Sequence, residues 1–271
     1  MKKFKVGLQL YSVRDAIEKD LYGTLKAVKA MGYDYVESAG AGFYGKTMEE
    51  AKAMLNEIGL TLVSAHTKDA SAENIAFLKG LGASFMVIPY QSVVSYQTAW
   101  DETMAEFTEI GKNAAAAGLR LFYHNHDFEF QKIGDVTILD KMYNELPAEI
   151  IAPQFDVCWV TYAGYDAAEY IRKYANKNLK IAHLKDFTCK GAAKGAVYEL
   201  IEGGEVKKSR EENLFRFKPV GQGVVDFDKV LAAAEEAGID VLIVEQDQSY
   251  ETPAIEAVRQ SREFLKNTYG I

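Results

Sequence analysis

The stretch AAEEAGIDVLIVEQD, residues 233–247, decides the fold that this sequence predicts. A helix-like run of alanine and glutamate leads to a glycine, and a β-rich apolar run follows at once and ends in acidic residues. Glycine commonly ends a helix because a left-handed backbone costs it little. The stretch therefore predicts a helix, a glycine cap and a buried strand, in that order.

The same order recurs four times earlier in the chain. Helix, glycine and strand in repetition is the pattern of βα units around a parallel sheet. The copies, with glycines at 32, 59, 82 and 118, are AVKAMGYDYVES (27–38), MLNEIGLTLVSAH (54–66), FLKGLGASFMVIP (77–89) and NAAAAGLRLFYHNH (113–126).

Three more apolar runs complete a set of eight strands, and helices are predicted over 15–31 and 135–146. Eight βα units in about 250 residues is the usual size of a closed (β/α)₈ (TIM) barrel. An open doubly wound sheet is disfavoured because no GxGxxG follows the first strand and no linker divides the chain. The predicted strands are 5–10, 34–38, 61–66, 84–89, 119–124, 152–157, 179–184 and 241–245.

Residues 1–271 are predicted to form one barrel domain, with one insertion at 187–219. The insertion contains VYELIE and EVKK on either side of Gly203–Gly204, a pattern typical of a hairpin. Loops that follow barrel strands lie on the C-terminal face. Residues 187–219 are therefore predicted to form a flap over the active site or a surface elaboration without a catalytic part.

The bulk composition excludes several classes of protein. A net charge of −8 over 271 residues repels phosphate backbones, so nucleic acid is not an expected partner. Cys158 and Cys189 form no CxxC pair and suit a reducing compartment. No run approaches the roughly 18 apolar residues of a membrane span, and the opening apolar run is too short for a secretory signal. We expect a soluble cytoplasmic protein, and leave open whether its chains form a homo-oligomer.

All four histidines fall at or just beyond the end of a predicted strand: His66, His124, His126 and His183. Carboxylates repeat the pattern at Glu37, Asp156, Asp186 and Glu245. In a closed barrel these ends share one rim, and a buried carboxylate is costly unless it is paired or bound to a cation. Imidazole with carboxylate suits Mn²⁺, Zn²⁺, Co²⁺ or Fe²⁺, so one divalent metal ion is predicted. Ion-paired residues that stiffen the rim are the alternative.

Several fragments resemble the xylose isomerase-like superfamily of sugar isomerases and epimerases. That superfamily also contains inosose dehydratases, hydroxypyruvate isomerases, tagatose-type ketose epimerases and endonuclease IV. The resemblance runs nearly end to end, and the order and spacing of the fragments carry it. They are GLQLYSVRD (7–15), QFDVCWVTYAG (154–164), AHLKD (182–186), VGQGVVDF (220–227) and IVEQD (243–247).

The resemblance implies a metal held at the ends of strands five to eight. Asp156, His183 and Glu245 match three of the ligands. Strand five departs from the family, because YHNHDFEF (123–130) stands where a glutamate is common. His124 is predicted as the fourth ligand, with Glu129 as the alternative. The missing glutamate puts epimerisation by paired glutamates in doubt.

The implied chemistry is proton removal next to the carbonyl of a small sugar or keto-sugar, with the metal stabilising an enediolate. Return of the proton gives isomerisation or epimerisation, which we favour; loss of a β-hydroxyl gives a dehydratase or lyase. The candidate bases are His126, Glu129 and Glu245. Lys185 is a candidate catalytic residue that would polarise a substrate oxygen; the alternatives are pairing with Asp186 and a solvated or structural lysine.

Further residues are predicted to contact substrate: Gln9, Tyr11, Glu37, His66, Trp159 and Asp186. The aromatic side chains of Tyr11, Tyr123, Phe128 and Trp159 suit the apolar side of a sugar ring, with core packing as the alternative. Two other functions compete. Phosphoester cleavage of the endonuclease IV kind needs several metals, and a non-catalytic sugar-binding barrel would keep a degenerate metal site.

Overall fold

A computed structural model describes residues 2–190 and 214–271, and its centre is a ring of eight parallel strands. The order around the sheet is β6-β5-β4-β3-β2-β1-β8-β7. The strands are β1 (Lys5–Gln9), β2 (Tyr35–Ser38), β3 (Thr61–His66), β4 (Phe85–Ile88), β5 (Arg120–His124), β6 (Ala152–Gln154), β7 (Ile181–Leu184) and β8 (Val241–Val244).

The ring closes between β6 and β7. Asp156 and His183 form a parallel β-bridge, and the His183 backbone N–H donates to the Phe155 carbonyl at 2.8 Å. The predicted (β/α)₈ barrel is thereby confirmed. Strand six is shorter than predicted, since its regular part ends at Gln154 and only the bridge extends it.

Helices surround the ring. Several begin at a side-chain cap, as at Thr47, whose hydroxyl accepts from the Glu50 N–H while the Glu50 carboxylate accepts from the Thr47 N–H. The helices are Arg14–Ile17, Leu21–Ala30, Met48–Ile58, Ala72–Gly80, Val93–Thr98, Trp100–Ala116, Ile138–Glu145, Val157–Tyr162, Ala167–Lys173, Phe227–Glu236 and Ala254–Phe264.

The repeated glycines end these helices as predicted. Each has a positive φ, from 75° at Gly118 and Gly238 to 97° at Gly32. Most other residues avoid this region because their Cβ meets the backbone. The next residues then enter a strand of the barrel.

Two predicted helices were wrong in their bounds. The helix expected over 15–31 is divided, because Asp20 is extended and its carboxylate caps a new helix through the Gly23 N–H. The helix expected over 135–146 begins at Ile138, because Lys132–Ile133 and Val136–Thr137 pair as a short antiparallel ribbon.

The predicted insertion is described only at its two ends. Asp186–Thr188 pairs antiparallel with Arg216–Lys218, which brings the returning chain back to the rim. The predicted hairpin at Gly203–Gly204 lies outside the described residues.

Side-chain alternation along the strands builds the barrel interior in layers. Phe122, Ala152, Ile181 and Ile243 belong to an apolar cluster within the barrel. Two residues further along the same strands stand His124, Gln154, His183 and Glu245, all buried. The apolar layer thus supports a polar layer at the carboxyl ends of the strands.

Among the residues described, every helix is too short or too polar to cross a lipid bilayer.

Candidate metal centre

Four side chains at the carboxyl ends of β5 to β8 form a compact group, which we call the tetrad: His124, Asp156, His183 and Glu245. One ligand atom from each lies within 4.8 Å of the others, and all four residues are buried. His124 Nε2 lies 3.6 Å from Asp156 Oδ2 and 4.0 Å from Glu245 Oε2, and His183 Nδ1 lies 2.9 Å from Glu245 Oε2.

The tetrad fits a divalent metal ion. Zinc binds imidazole nitrogen and carboxylate oxygen at about 2.0–2.2 Å, which places neighbouring ligand atoms at roughly these separations. Two imidazoles with two carboxylates also suit Mn²⁺, Fe²⁺ and Co²⁺. Among the residues described, Glu129 belongs to no such group, so the geometry favours His124 as the ligand from strand five.

Lys185 carries a fully buried ammonium group beside the tetrad. Its Nζ lies 3.0 Å from Asp156 Oδ2, 2.7 Å from Glu245 Oε2 and 3.1 Å from Asp247 Oδ1. The alternative that Lys185 pairs with Asp186 was wrong: among the described residues its carboxylate partners are Asp156, Glu245 and Asp247, while the Asp186 carboxylate accepts from backbone N–H groups. The Lys185 ammonium therefore contacts three buried carboxylates, and His183 contacts one of them, Glu245, from the other side.

These neighbours shift the ionisation of the buried acids. Burial raises the pKa of Glu245, but Lys185 and His183 outweigh it and hold that pKa well below its usual value. Burial raises the pKa of Asp247 to about 6 against the opposing effect of Lys185. Glu245 thus keeps its negative charge, whereas burial raises the pKa of Asp156 and Asp247, which take up a proton at a higher pH than an ordinary aspartate.

Glu37 lies beneath the tetrad and is fully buried. The sequence predicts that Glu37 and Gln9 contact substrate, but both side chains are enclosed and bonded to each other. The carboxylate of Glu37 is contacted by Gln9 Nε2 at 2.8 Å, Ser64 Oγ at 2.6 Å, Gln154 Nε2 at 2.8 Å, His66 Nε2 at 2.9 Å and His183 Nε2 at 2.6 Å.

The four histidines converge at the rim. The ring of His124 lies 4.9 Å from that of His66, 5.1 Å from His126 and 4.5 Å from His183. Burial is the main reason why the pKa of His126 lies well below its usual value, with the Lys185 charge adding to it. The His126 imidazole is therefore neutral near pH 7.

Glu129 faces away from the tetrad. Its carboxylate accepts from the Tyr123 hydroxyl at 2.6 Å and from the His126 backbone N–H at 2.8 Å. Burial raises its pKa to about 8, although the bond from Tyr123 opposes the shift. These contacts hold the loop after strand five.

Asp186 was predicted to contact substrate, but its carboxylate is bonded to backbone N–H groups. Its Oδ1 accepts from the N–H groups of Phe187 and Val225, and its Oδ2 from those of Gly221 and Gly223, at 2.8 to 3.1 Å. A carboxylate used in this way has little left for a substrate. Asp186 instead fixes the segment that returns from the insertion.

Aromatic side chains wall in Lys185. The Lys185 Nζ lies 5.5 Å from the ring of Trp159 and 5.6 Å from that of Phe217. Trp159 stacks on Phe215 with ring centroids 5.5 Å apart. Sequence reasoning missed Phe215 and Phe217; the alternating LFRFK (214–218) was the available signal.

The other predicted aromatic contacts divide between core and rim. Tyr123 is buried with its ring 5.7 Å from Phe107, so it belongs to the core. Phe128 stacks on His126, with centroids 5.3 Å apart. Tyr11 is half-buried beneath the Arg14 guanidinium, 4.0 Å from its ring centre.

The fold is a TIM barrel whose rim carries a buried His/Asp/Glu group that could hold a metal ion, and comparison with known proteins identifies the family. A family model of the xylose isomerase-like TIM barrel matches residues 25–268, so the chain belongs to that family. The chain is similar to an inosose dehydratase of Bacillus cereus (strain AH820), at 23% identity over 244 residues covering 83% of this chain and 78% of that protein.

Solved structures share the fold. A sugar phosphate isomerase/epimerase from Parabacteroides distasonis ATCC 8503 superposes with a TM-score of 0.75 at 21% identity, over 99% of this chain and 96% of that one. The IOLI protein, solved with a binding zinc atom, gives a TM-score of 0.69 at 16% identity, over 97% of each chain. These likenesses show the fold, and the family model over residues 25–268 confirms the predicted family.

Proposed function

We propose that this chain is a metal-dependent dehydratase that acts on a small polyhydroxylated carbonyl compound such as a keto-sugar or keto-inositol. A proton leaves the carbon next to the carbonyl, and a β-hydroxyl departs as water. The observation that carries the proposal is the buried Lys185 ammonium, within 3.0 Å of carboxylates in the tetrad. The similarity to an inosose dehydratase supports the same reaction.

The tetrad residues His124, Asp156, His183 and Glu245 would hold the metal. A divalent ion bound there supplies a Lewis acid that polarises the substrate carbonyl and acidifies the neighbouring C–H. The acid and the base of the reaction are side chains that lie beside the tetrad.

His126 is the proposed base. Its neutral imidazole accepts the C–H proton, and the electron pair of that bond forms the new C=C bond. Lys185 is the proposed acid, because its ammonium donates a proton to the departing hydroxyl as the C–O bond breaks. The products are the unsaturated carbonyl compound and water. The proton on His126 then returns to Lys185 through solvent, which restores the starting protonation state of both residues.

Strand five distinguishes this site from one built for epimerisation. Its end presents His124, and Glu129 is occupied behind it by Tyr123. Of the two glutamates predicted as bases, Glu129 and Glu245, Glu245 is therefore the one that belongs to the tetrad. Isomerisation or epimerisation remains the second candidate. The ring centroid of His126 lies 5.1 Å from that of His124, so His126 is close enough to the tetrad to return to the substrate the proton that it takes.

The test is to incubate the metal-loaded protein with keto-inositols, ketoses and aldoses in D₂O. A dehydratase gives a product lighter by one water and a conjugated carbonyl that absorbs in the ultraviolet. An isomerase or epimerase gives deuterium incorporation without loss of water, which would replace this proposal with the second candidate.

The matched variants are Lys185→Met and Lys229→Met. Lys185→Met should abolish water loss, whereas Lys229, exposed and paired with Asp226, should be dispensable. Full dehydratase activity in Lys185→Met would remove Lys185 from the mechanism.

A further inference from the structure

We propose that Glu37 and Gln154 are positioning residues that decide which ring nitrogen each tetrad histidine presents to the metal. They select Nδ1 of His183 and Nε2 of His124, so the two imidazoles bind through opposite nitrogens. This inference rests on the proposed metal site and adds the origin of its geometry.

His183 is oriented by the charge of Glu37. Its Nε2 lies 2.6 Å from Glu37 Oε1, while its Nδ1 faces Glu245 Oε2 at 2.9 Å. A carboxylate only accepts hydrogen bonds, so Nε2 of His183 carries a proton. By the same rule Nδ1 carries a proton toward Glu245 in the metal-free protein. A metal at the tetrad would displace that proton, and Nδ1 would be the ligand atom while Nε2 stays protonated toward Glu37.

Gln154 links Glu37 to His124 and determines which nitrogen of His124 is protonated. Its Nε2 donates to Glu37 Oε2 at 2.8 Å, which fixes the orientation of the amide, because Glu37 offers no proton in return. Its Oε1 must therefore face the histidines, and it lies 3.1 Å from His124 Nδ1. The proton of His124 is thus held on Nδ1. Its Nε2 is left to face Asp156 and Glu245.

His66 is consistent with this arrangement. Its Nε2 lies 2.9 Å from Glu37 Oε1 and 3.1 Å from Gln154 Oε1, which are both acceptors. His66 therefore donates from Nε2 to both, and it reinforces the orientation of the pair.

Glu37 is itself immobilised. Its oxygens join side chains from β1, β3, β6 and β7 to β2, so one carboxylate ties together five of the eight strands. Groups behind metal-binding histidines fix the tautomer and raise ligand basicity, and their loss typically costs about 10–100-fold in metal affinity. The same range is expected here.

The experiment compares the wild type with Glu37→Gln, Gln154→Leu and the control Ser64→Ala. Ser64 also bonds to Glu37, at 2.6 Å, but this bond involves neither tetrad histidine. Zinc affinity is measured by competitive titration. The protonated nitrogen of each histidine is read from two-bond ¹⁵N–¹H correlation spectra of the zinc-loaded protein.

In the wild type we expect His183 protonated at Nε2 and His124 at Nδ1. Zinc affinity should fall about 10–100-fold in Glu37→Gln and Gln154→Leu. It should fall clearly less in Ser64→Ala, which removes one contact to Glu37 and leaves the Glu37–His183 and Gln154–His124 contacts in place. The opposite nitrogens in the wild type, or equal losses in all three variants, would overturn the inference. The wild-type spectrum needs no variant to fold.

The two proposals fail in different ways. If the wild type binds no zinc at the tetrad, the proposed metal site fails and this inference falls with it. If zinc binds but the tautomers or affinities disagree, only the positioning role is lost.

Discussion

Asp156 and His183 are partners in the β-bridge that closes the barrel, and both belong to the tetrad. The last backbone contact of the ring is therefore made by the residues that would hold the metal. Because β6 ends regularly at Gln154, the tetrad and the closure of the barrel depend on the same short stretch of chain. A metal bound to both side chains would strengthen this seam of the ring.

The choice of the fourth ligand is testable by substitution. His124→Ala should lower metal affinity by at least about tenfold, since it removes a ligand atom from the tetrad. Glu129→Gln should keep one metal per chain, because the Glu129 carboxylate is bonded to Tyr123 and His126 instead. Metal content after dialysis measures both. Loss of metal in Glu129→Gln, with retention in His124→Ala, would reverse the assignment.

Glu129 should make stability depend on pH. Burial raises its pKa to about 8 from an ordinary value of 4.5, so the folded state holds a proton that the unfolded chain releases. The stabilisation is complete below pH 4.5 and is lost as the pH rises toward 8. In this window the wild type should lose up to about 1.4 kcal/mol of unfolding free energy per pH unit relative to Glu129→Gln. Urea denaturation at several pH values measures this, and parallel curves for the two proteins would contradict it.

Lys185 should stabilise the metal-free protein. Lys185→Met would remove the positive charge that contacts the buried Asp156, Glu245 and Asp247, and breaking a buried pair costs about 3–5 kcal/mol. Chemical denaturation in the presence of EDTA gives the difference. Because a bound divalent ion supplies positive charge at the same carboxylates, the deficit should shrink when metal is added. A variant as stable as the wild type in EDTA would show that Lys185 is not the compensating charge.

The segment held by Asp186 leaves no room for a side chain at Gly223. A Cβ there would lie 2.2 Å from Asp186 Oδ1 and 2.3 Å from the Phe187 carbonyl oxygen. Gly223→Ala should therefore destabilise the protein by about 1–3 kcal/mol. Gly40→Ala is the control, because in the described part of the chain no heavy atom apart from Gly40 and its two chain neighbours lies within 4 Å of a Cβ there. Equal melting temperatures for the two variants would refute the tight fit at Gly223.

The barrel was predictable because its signals are local. A glycine with positive φ after each helix and an apolar run after each glycine appear in consecutive residues, so strand positions follow from the sequence alone. The convergence of His183 and Glu245 followed from the same signals, since both stand directly at strand ends whose neighbours the closed ring determines. The expectation that His124 is the fourth ligand came from the family resemblance, with Glu129 as the alternative.

The remaining features depend on contacts that are distant in sequence or on loop geometry. Asp186 bonds to N–H groups 35 to 39 residues further on, and no local pattern reveals this. Glu129 sits in a loop that turns its carboxylate back to Tyr123, which spacing from strand five does not predict. The burial of Glu37 depends on partners from four other strands, so its place beneath the tetrad emerged only with the structure.

The most direct test of the central claim is an anomalous difference map from crystals of the full chain grown with Mn²⁺ or Zn²⁺. The account predicts one peak, bound at about 2.0–2.3 Å by His124 Nε2, Asp156, His183 Nδ1 and Glu245. A peak held by other residues, or none at the tetrad under saturating metal, would contradict it.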